Sequence, residues 1–557
     1  MACVGIDIGF ANAVVALARR GGIDVLDNEV SKKLTASMVG FSGKERKLGE
    51  GAAVSITSNM KNTITGIKAV IGKKFNSEEI QNEIPRVAYT MTDVAGAVGI
   101  PVQYNEEEVI ITPERAMSML LTCMRQIAQR EQAPGVEVKD VVLSVPAYFT
   151  DAERRAMLDA ASIIGLNVLR LMTDVTAAAL AYGIYKTDLP TDKTTNVVFV
   201  DMGALDTTCS IVAFVKGKLT VLSTASDRHL GGRDFDQVLA DHFAAEWKEK
   251  HKIDAKTSKK AMFRLLVACE KTKKVLSANP KAPIAIECFM DDIDVKGMME
   301  RTDFLEMCAA CGLMTKLEKL LADAFIGSGL AKEDIESVEI FGGSVRIPIV
   351  QETISKYFGL ECRKTQNFDE CIAKGCALQC AMLSPAFRVR DFSVNDVTMY
   401  PIALSWAPTA DAKMEVDTEA DAADATPKAG ANSTVVFSKY NPVPQTKLLT
   451  FYRKETFSVR AEYDSAVSLP GGFSYLLNEY TVQDVPVRPP GADGKAELAK
   501  IKLKLRLDIH GCLQCESAQA IEEQEVVEET PAPTPTPDAP TPDAPTPDAT
   551  DVPPAAP

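Results

Sequence analysis

From Ile501 to Ile509 every odd position is apolar (Ile501, Leu503, Leu505, Leu507, Ile509), while Lys502, Lys504, Arg506 and Asp508 fill the even ones. Such period-two alternation predicts an antiparallel strand with one buried face. Thr434 to Ser438 and Lys447 to Tyr452 share the β-rich texture, so the stretch from about Ser393 to His510 reads as all-β. Before Ser393 strands and helices alternate. Val141 to Val145 reads as a strand, Asp151 to Ile164 as a helix begun at Thr150, and Ser258 to Leu276 as another helix. That alternation is the signature of an α/β fold.

One feature recurs at long range. Val4-Gly5-Ile6-Asp7-Ile8-Gly9 is followed by the apolar run Val14 to Ala18, and Val198-Phe199-Val200-Asp201-Met202-Gly203 by the run Ser210 to Val215. Each reads as strand, Asp, Gly turn and returning strand, which predicts a duplication with two hairpins facing one cleft.

Composition trims this picture. The net charge is −15, but the residues after Arg506 hold eleven acids and no Lys or Arg, which leaves the body nearly neutral. Without a basic footprint, nucleic acid is not an expected partner. Residues 411–429 carry six acids and read as an acidic loop; Pro535 to Ala549 is PTPDA three times over and reads as an extended spacer. The thirteen cysteines read as reduced thiols. Cys308 and Cys311 fall in a helix-like stretch, Asp303 to Phe325, where their spacing predicts one apolar face. The N-terminal apolar run contains Asp7, and no window approaches eighteen uncharged apolar residues, so neither a signal peptide nor a membrane-spanning helix is expected.

A hairpin with Asp ending its first strand and Gly two residues on can set backbone N–H groups beside a phosphate while the carboxylate holds a hydrated Mg²⁺. One copy is commonly an ordinary tight turn; two copies across a duplication favour nucleotide. Lys68 and Asp174 are candidates to orient a water or balance γ-phosphate charge, against the plainer readings of surface lysine and helix cap. In Ile340 to Arg346 a strand opens into Gly342 and Gly343, where a flat base could approach the backbone with Arg346 stacked on it. Glu270, Lys273, Lys274 and Ser277 share a helical face and offer ribose and base hydrogen bonds, or else form a solvated face.

The ordered set GIDIG (5–9), VPAYFTDAER (145–154), GLNVLRLMTDVTAAALAYG (165–183), VDMG (200–203), HLGGRDFD (229–236), EKTKKVLSAN (270–279) and FGGSVRIP (341–348) resembles the seventy-kilodalton heat-shock chaperone family over about Val4 to Cys515. Gly9-Phe10, Asn28-Glu29-Val30-Ser31, Thr57-Ser58-Asn59, Gly231-Gly232-Arg233-Asp234 and Arg388-Val389-Arg390 look more like its one-hundred-and-ten-kilodalton branch, known for nucleotide exchange on the seventy-kilodalton members and for holding unfolded chains.

The resemblance implies an α/β, actin-like, two-lobed ATPase domain over 1–383, a linker over 384–392, an all-β sandwich over 393–515 and a disordered acidic Pro-rich tail over 516–557. It implies ATP or ADP with Mg²⁺ as cofactors. Asp7 and Asp201 would hold the Mg²⁺ waters, Lys68 and Asp174 would flank the attacking water near Asp201, and Gly9, Gly203, Gly231 and Gly232 would line the phosphates. Glu270, Lys273, Lys274, Ser277, Gly342, Gly343, Ser344, Arg346 and Asp369 would hold adenosine, and Pro146 with Arg154 resembles the switch that reports nucleotide state. Expected partners are seventy-kilodalton chaperones and unfolded polypeptides, with no membrane; the expected location is the cytoplasm, with the nucleus as a second. The alternative on the same actin-like fold is a small-molecule kinase, and a filament-forming actin relative is a further rival.

Departures from the family pattern shape the expectation. Gly203-Ala204-Leu205-Asp206 replaces a glycine-rich phosphate turn, Thr208 stands where a carboxylate is usual, and Phe10 replaces a phosphate-contacting Thr. Asp174 is one methylene shorter than the usual Glu. A misplacement of ~1 Å costs on the order of 10²-fold in rate, so hydrolysis is expected to be slow. The linker lacks the docking leucine run, which predicts weak interdomain coupling. Only 48 residues follow Ile509, so the family's helical lid is not expected.

Overall fold

Two apolar runs with the same punctuation build two sheets of the same topology. The computed structural model describes residues 2–19, 21–407, 414–417, 432–487 and 497–522. In the first lobe β1 (Val4–Ile8), β2 (Asn12–Arg19) and β3 (Gly22–Val25) form an antiparallel meander, and β4 (Asp140–Val145) and β5 (Asn167–Thr173) add in parallel beyond β1. The order is β5-β4-β1-β2-β3. In the second lobe β6 (Thr195–Met202), β7 (Thr207–Val215) and β8 (Lys218–Asp227) repeat the meander. There β9 (Ile335–Phe341) and β10 (Cys362–Arg363) supply the parallel strands, in the order β10-β9-β6-β7-β8. Order and direction match strand for strand, as a duplication requires.

Helix α1 (Asp151–Ile163) starts where the sequence places it, because Thr150 and Glu153 close a capping box. Helices α2 (Asp174–Gly183) and α7 (Cys371–Leu383) follow β5 and β10 at equivalent points of the two lobes and pack against each other between the sheets. Their crossing is backbone to backbone. A Cβ on Gly375 would sit 1.9 Å from the carbonyl oxygen of Ala177, so only glycine allows it. In the second lobe α3 (Gly232–His251) and α4 (Lys259–Ala278) pack against each other, α4 also lies on the separate strand Lys281–Met290, and Ser258 caps α4. The single helix expected over 303–325 is two, α5 (Arg301–Ala310) and α6 (Leu313–Ser328), because Gly312 takes a left-handed conformation at φ 76°. The break leaves Cys308 buried and Cys311 exposed, so the two do not share a face.

The β-rich half contains β11 (Ser393–Val397), β12 (Ile402–Trp406), β13 (Met414–Asp417), β14 (Ser433–Phe437), β15 (Pro442–Val443), β16 (Gln445–Arg453), β17 (Phe457–Tyr463), β18 (Leu476–Val482), β19 (Ala499–Leu507) and β20 (Leu513–Ile521). Two four-stranded sheets, β14-β12-β17-β18 and β13-β16-β19-β20, close on one core. Leu404, Phe437 and Val459 come from the first, and Leu449, Phe451, Leu503 and Leu505 from the second. The alternation read at 501–509 is this buried face as far as Leu507, after which Asp508 opens a turn. Two expectations shift. Residues 516–521, assigned to the tail, extend β20, where Glu516 pairs with Lys504 at 2.8 Å and Arg506 at 3.0 Å across the ladder. Residues 414–417 of the acidic loop form β13 by pairing with β16. The remainder of that loop, 411–413 and 418–429, and the Pro-rich repeats lie outside the described residues.

The linker does not behave as a free tether. Phe392 is 8% exposed and packs with Phe214 against Gly183, and β11 adds in parallel to the edge of β8 with Lys218, Leu219 and Thr220 opposite Ser393, Val394 and Asn395. Without a leucine run, Phe392 and the valines at 389, 394 and 397 supply the apolar packing. Beyond it, the backbone N–H of Asp151 donates to Tyr463 Oη at 2.8 Å, and that of Leu513 to Asp151 Oδ2 at 2.9 Å. Arg228 bonds Glu153 at 2.8 Å; with Glu79 and Lys73 they form a buried ionic knot, and the guanidinium also covers the rings of Tyr148 and Phe473.

Candidate functional site

The two Asp-x-Gly hairpins face each other across a cleft of about 560 Å³ between the lobes. Size and mixed lining suit a ligand-binding pocket. The cleft is lined by Asp7, Gly9, Lys68, Asp174, Asp201, Gly203, Gly232, Glu270, Lys273, Lys274, Ser277, Gly342, Gly343, Ser344, Arg346 and Asp369, so sixteen of the seventeen predicted site residues converge. Gly231 stands one position back as the residue preceding α3: its N–H is taken by Asp234 Oδ2, and a Cβ there would sit 2.5 Å from the Leu205 carbonyl carbon.

At the end of the cleft that carries the two Asp-x-Gly hairpins, the turns are closed by their own hydrogen bonds. Gly9 N–H donates to Asn12 O at 2.9 Å and Gly203 N–H to Asp206 O at 3.0 Å. The tight turns consume these two amides. Lys68 is buried, not superficial, and its ammonium lies 3.2 Å from Asp174 Oδ2. Burial works against its charge, yet Asp174, Asp206 and Asp7 hold it protonated above its ordinary range. Ser144 Oγ donates to Asp7 Oδ1 at 2.7 Å.

The carboxylates outnumber the cations there. Burial, reinforced by Asp174, pushes Asp7 up to about 6, and burial with Asp174, Asp206 and Asp7 nearby raises Asp201 well above the carboxylate range. Asp206 is raised too, chiefly by burial, and faces the cleft, whereas Leu205 turns into the core. Asp174 Oδ1 is buried with no hydrogen-bond partner. Surplus negative charge and an orphaned carboxylate oxygen are what a hydrated divalent cation would satisfy.

At the other end the residues are partly engaged with one another. Lys273 bonds Asp236 at 2.8 Å and donates to Gly232 O at 2.7 Å; Glu270 and Lys274 pair at 2.7 Å on a more exposed surface. Arg346 pairs with Asp369 at 2.8 Å and lies over Phe368, the stacking neighbour it has here. Ser344 Oγ donates to Gly203 O at 2.8 Å, tying this corner to the turn after β6. Gly342 needs its φ of +87°, and a Cβ would sit 2.4 Å from Asp201 Oδ1. The sequence reading missed Asp236, Phe368 and Ser144. Asp236 was visible within the 229–236 motif; the other two carry no local signal. Phe10 packs on Gly66 and on Arg233, which Glu83 clasps at 2.8 and 2.9 Å, so the cleft mouth is bridged between lobes.

Comparison with known proteins fits this geometry. The family described as Hsp70 protein matches residues 3–539. The chain is 45% identical over 526 residues to human "Heat shock 70 kDa protein 4", covering 94% of this chain and 59% of that one. It is 44% identical over 531 residues to "Heat shock protein hsp88" of Neurospora crassa (95% and 72%), and 42% identical over 529 residues to "Heat shock 70 kDa protein 14" of Arabidopsis thaliana (94% and 61%). The chain thus spans about 59% of the human relative's length. The kinase alternative finds no support in these matches. No helix among the described residues is long and apolar enough to cross a membrane. Two duplicated lobes around a carboxylate-rich cleft, a β-sandwich docked beside them and near-full-length similarity agree: the chain belongs to the Hsp70 family, on its one-hundred-and-ten-kilodalton branch.

Proposed function

We propose that this chain binds Mg·ATP or Mg·ADP in the interlobe cleft, hydrolyses ATP slowly, holds unfolded polypeptide on its β-sandwich and promotes nucleotide release from a seventy-kilodalton chaperone. The observation that carries the nucleotide reading is the convergence of Asp7, Lys68, Asp174 and Asp201 with Glu270, Lys273, Ser277, Arg346 and Asp369 in one cleft. Asp7 and Asp201 would hold the metal through water; when bound, the metal would supply charge neutralisation along the phosphates. Lys68 would meet the γ-phosphate, and its present bond to Asp174 keeps both side chains poised at that spot.

Slow turnover follows from the chain's own groups. Asp206 adds negative charge facing the place phosphate oxygens would take, and the short Asp174 is already committed to Lys68. The chaperone and exchange roles rest on family membership and on the docked sandwich. The test is calorimetry with ATP with and without Mg²⁺, steady-state turnover, and release of a fluorescent nucleotide from a seventy-kilodalton chaperone. Expected are Mg²⁺-dependent binding, turnover far below the median enzyme rate of ~10 s⁻¹, and accelerated release. No ATP binding at all overturns the reading.

A further inference from the structure

Ion pairs between the two lobes are concentrated on one short segment. Among the described residues four arginine–carboxylate pairs cross from lobe to lobe, and three of them, Arg228 with Glu79, Arg233 with Glu83 and Arg86 with Asp234, use it. The segment is the helix Glu78–Glu83 and the turn Ile84–Arg86 that follows it. At its far end Arg233 Nη1 donates to both oxygens of Glu83, at 2.9 and 2.8 Å, and Arg86 meets Asp234 at 3.3 Å. Arg233 lines the interlobe cleft, its backbone N–H donates to Ala204 O at 2.9 Å in the turn after β6, and its guanidinium lies over Phe10. The mouth of the cleft is thus clasped at Glu83.

The near end of the same segment is held by the sandwich. The N–H of Glu78 donates to Gly471 O at 3.1 Å, and Gly472, at φ +88°, passes so close that a Cβ would fall 2.5 Å from Ser77 Cα. Ser77 is the residue whose side chain caps the helix. Phe473 lies beneath Lys73 and Arg228, the two cations of the knot that binds Glu79. Between the two ends Ile80 is buried in the core of the first lobe and serves as a pivot. At 1.5 Å per residue the helix is only about 9 Å long. A loop of the sandwich and a clasp on the cleft therefore sit at opposite ends of one short rod, and a shift at the first is felt at the second.

We propose that the helix Glu78–Glu83 carries the docked state of the sandwich to the cleft: with the loop 471–473 seated on its start, Glu83 holds Arg233 and bound nucleotide leaves slowly, and when the loop lifts, the clasp loosens and nucleotide leaves faster. Glu83 is then a positioning residue that acts through Arg233. The inference rests on nucleotide occupying the interlobe cleft, as proposed above. By linkage, bound nucleotide favours the seated loop to the same degree.

The test is the rate at which a fluorescent ADP, loaded with Mg²⁺ on the full chain, is released into excess unlabelled ATP. Glu83→Gln should speed release about 10-fold, the scale of one lost charge-assisted hydrogen bond. Gly472→Ala, whose Cβ cannot fit against Ser77, should speed release as well. In the Glu83→Gln background it should add nothing, because both changes open the same clasp; a merely structural role would give effects that multiply. Unchanged release in Glu83→Gln or in Gly472→Ala, or multiplying effects in the double variant, overturns the proposal. If Gly472→Ala fails to fold, Phe473→Ala, which weakens the loop's hold on the knot, takes its place with the same expectations. Failure of the wild-type chain to bind the labelled ADP at all would instead sink the nucleotide reading on which the proposal rests.

Discussion

Gly375 of α7 lies so close to Ala177 of α2 that a Cβ would fall 1.9 Å from the Ala177 carbonyl oxygen. This crossing joins the two lobes at the base of the cleft, and its partners are backbone atoms that cannot step aside. Gly375→Ala should therefore destabilise the protein by about 1–3 kcal/mol, the usual range for overpacking a core. The check is thermal unfolding, with nucleotide affinity falling alongside. An unchanged melting temperature would mean that the helices slide apart freely.

Asp7→Asn should act in opposite directions on two measurements. With no metal present, ionising the crowded Asp7 opposes folding. Its folded value of about 6 lies above the unfolded carboxylate value of 3.8, so the group costs stability progressively as pH rises from about 4 to 6 and the cost is fully present above that. The variant should be more stable than wild type in EDTA at pH 7.5, and the gap should close as pH falls below 5. Mg²⁺-dependent nucleotide affinity should fall more than metal-free affinity. Melting curves across pH and calorimetry with and without Mg²⁺ read both effects.

Much of this site was legible because its chemistry sits on local signals. A strand-Asp-x-Gly turn, a helical face and a paired-glycine strand end each advertise themselves within ten residues, and the duplication says that two must meet. What could not be read is relational. Nothing local tells that Gly9 and Gly203 spend their N–H groups on their own turns, or that Gly312 divides a helix-like run. The edge-strand role of Ser393–Val397 was hidden for the same reason: alternation reveals a strand but not its neighbour. Phe392 was overlooked because one aromatic replaces a run of leucines.

Breaking the ionic knot should be costly. Burial raises the energy of Glu79's charge, but His229, Lys73 and Arg228 outweigh it and hold the carboxyl far below its ordinary range. Its contribution is fully present above the unfolded carboxyl value of 4.5 and is lost progressively as pH falls below it. Arg228→Leu leaves Glu153, 0% exposed, with Lys73 alone at 3.8 Å. A loss of about 3–5 kcal/mol is expected, the range for stripping one partner from a buried pair. Chemical denaturation measures it, and the deficit should persist at high salt because the pair is shielded from solvent.

Tyr463→Phe removes the acceptor for the Asp151 N–H while keeping the ring. The cost should be about 1 kcal/mol, small for the fold but concentrated at the joint between the two lobes and the sandwich. Arg388 and Arg390 are exposed beside the docked Phe392. The variant should be cut by trypsin at these arginines faster than wild type, with each fragment remaining folded. Equal cutting rates would show that the joint does not depend on this bond.

The strand β11 has a consequence for what separation of the two halves would entail. Ser393, Val394 and Asn395 occupy the backbone groups of Lys218, Leu219 and Thr220, so this stretch of the β8 edge is covered while they stay. Pulling β11 away would leave a short hydrogen-bonding ribbon on the folded second lobe, ready to recruit any extended chain within reach. β11 is thus also a stopper against self-association. A client or a second copy that supplied an extended segment would compete with it for the same rim, so loosening of the halves and clustering of molecules should appear together, with concentration deciding which is seen first.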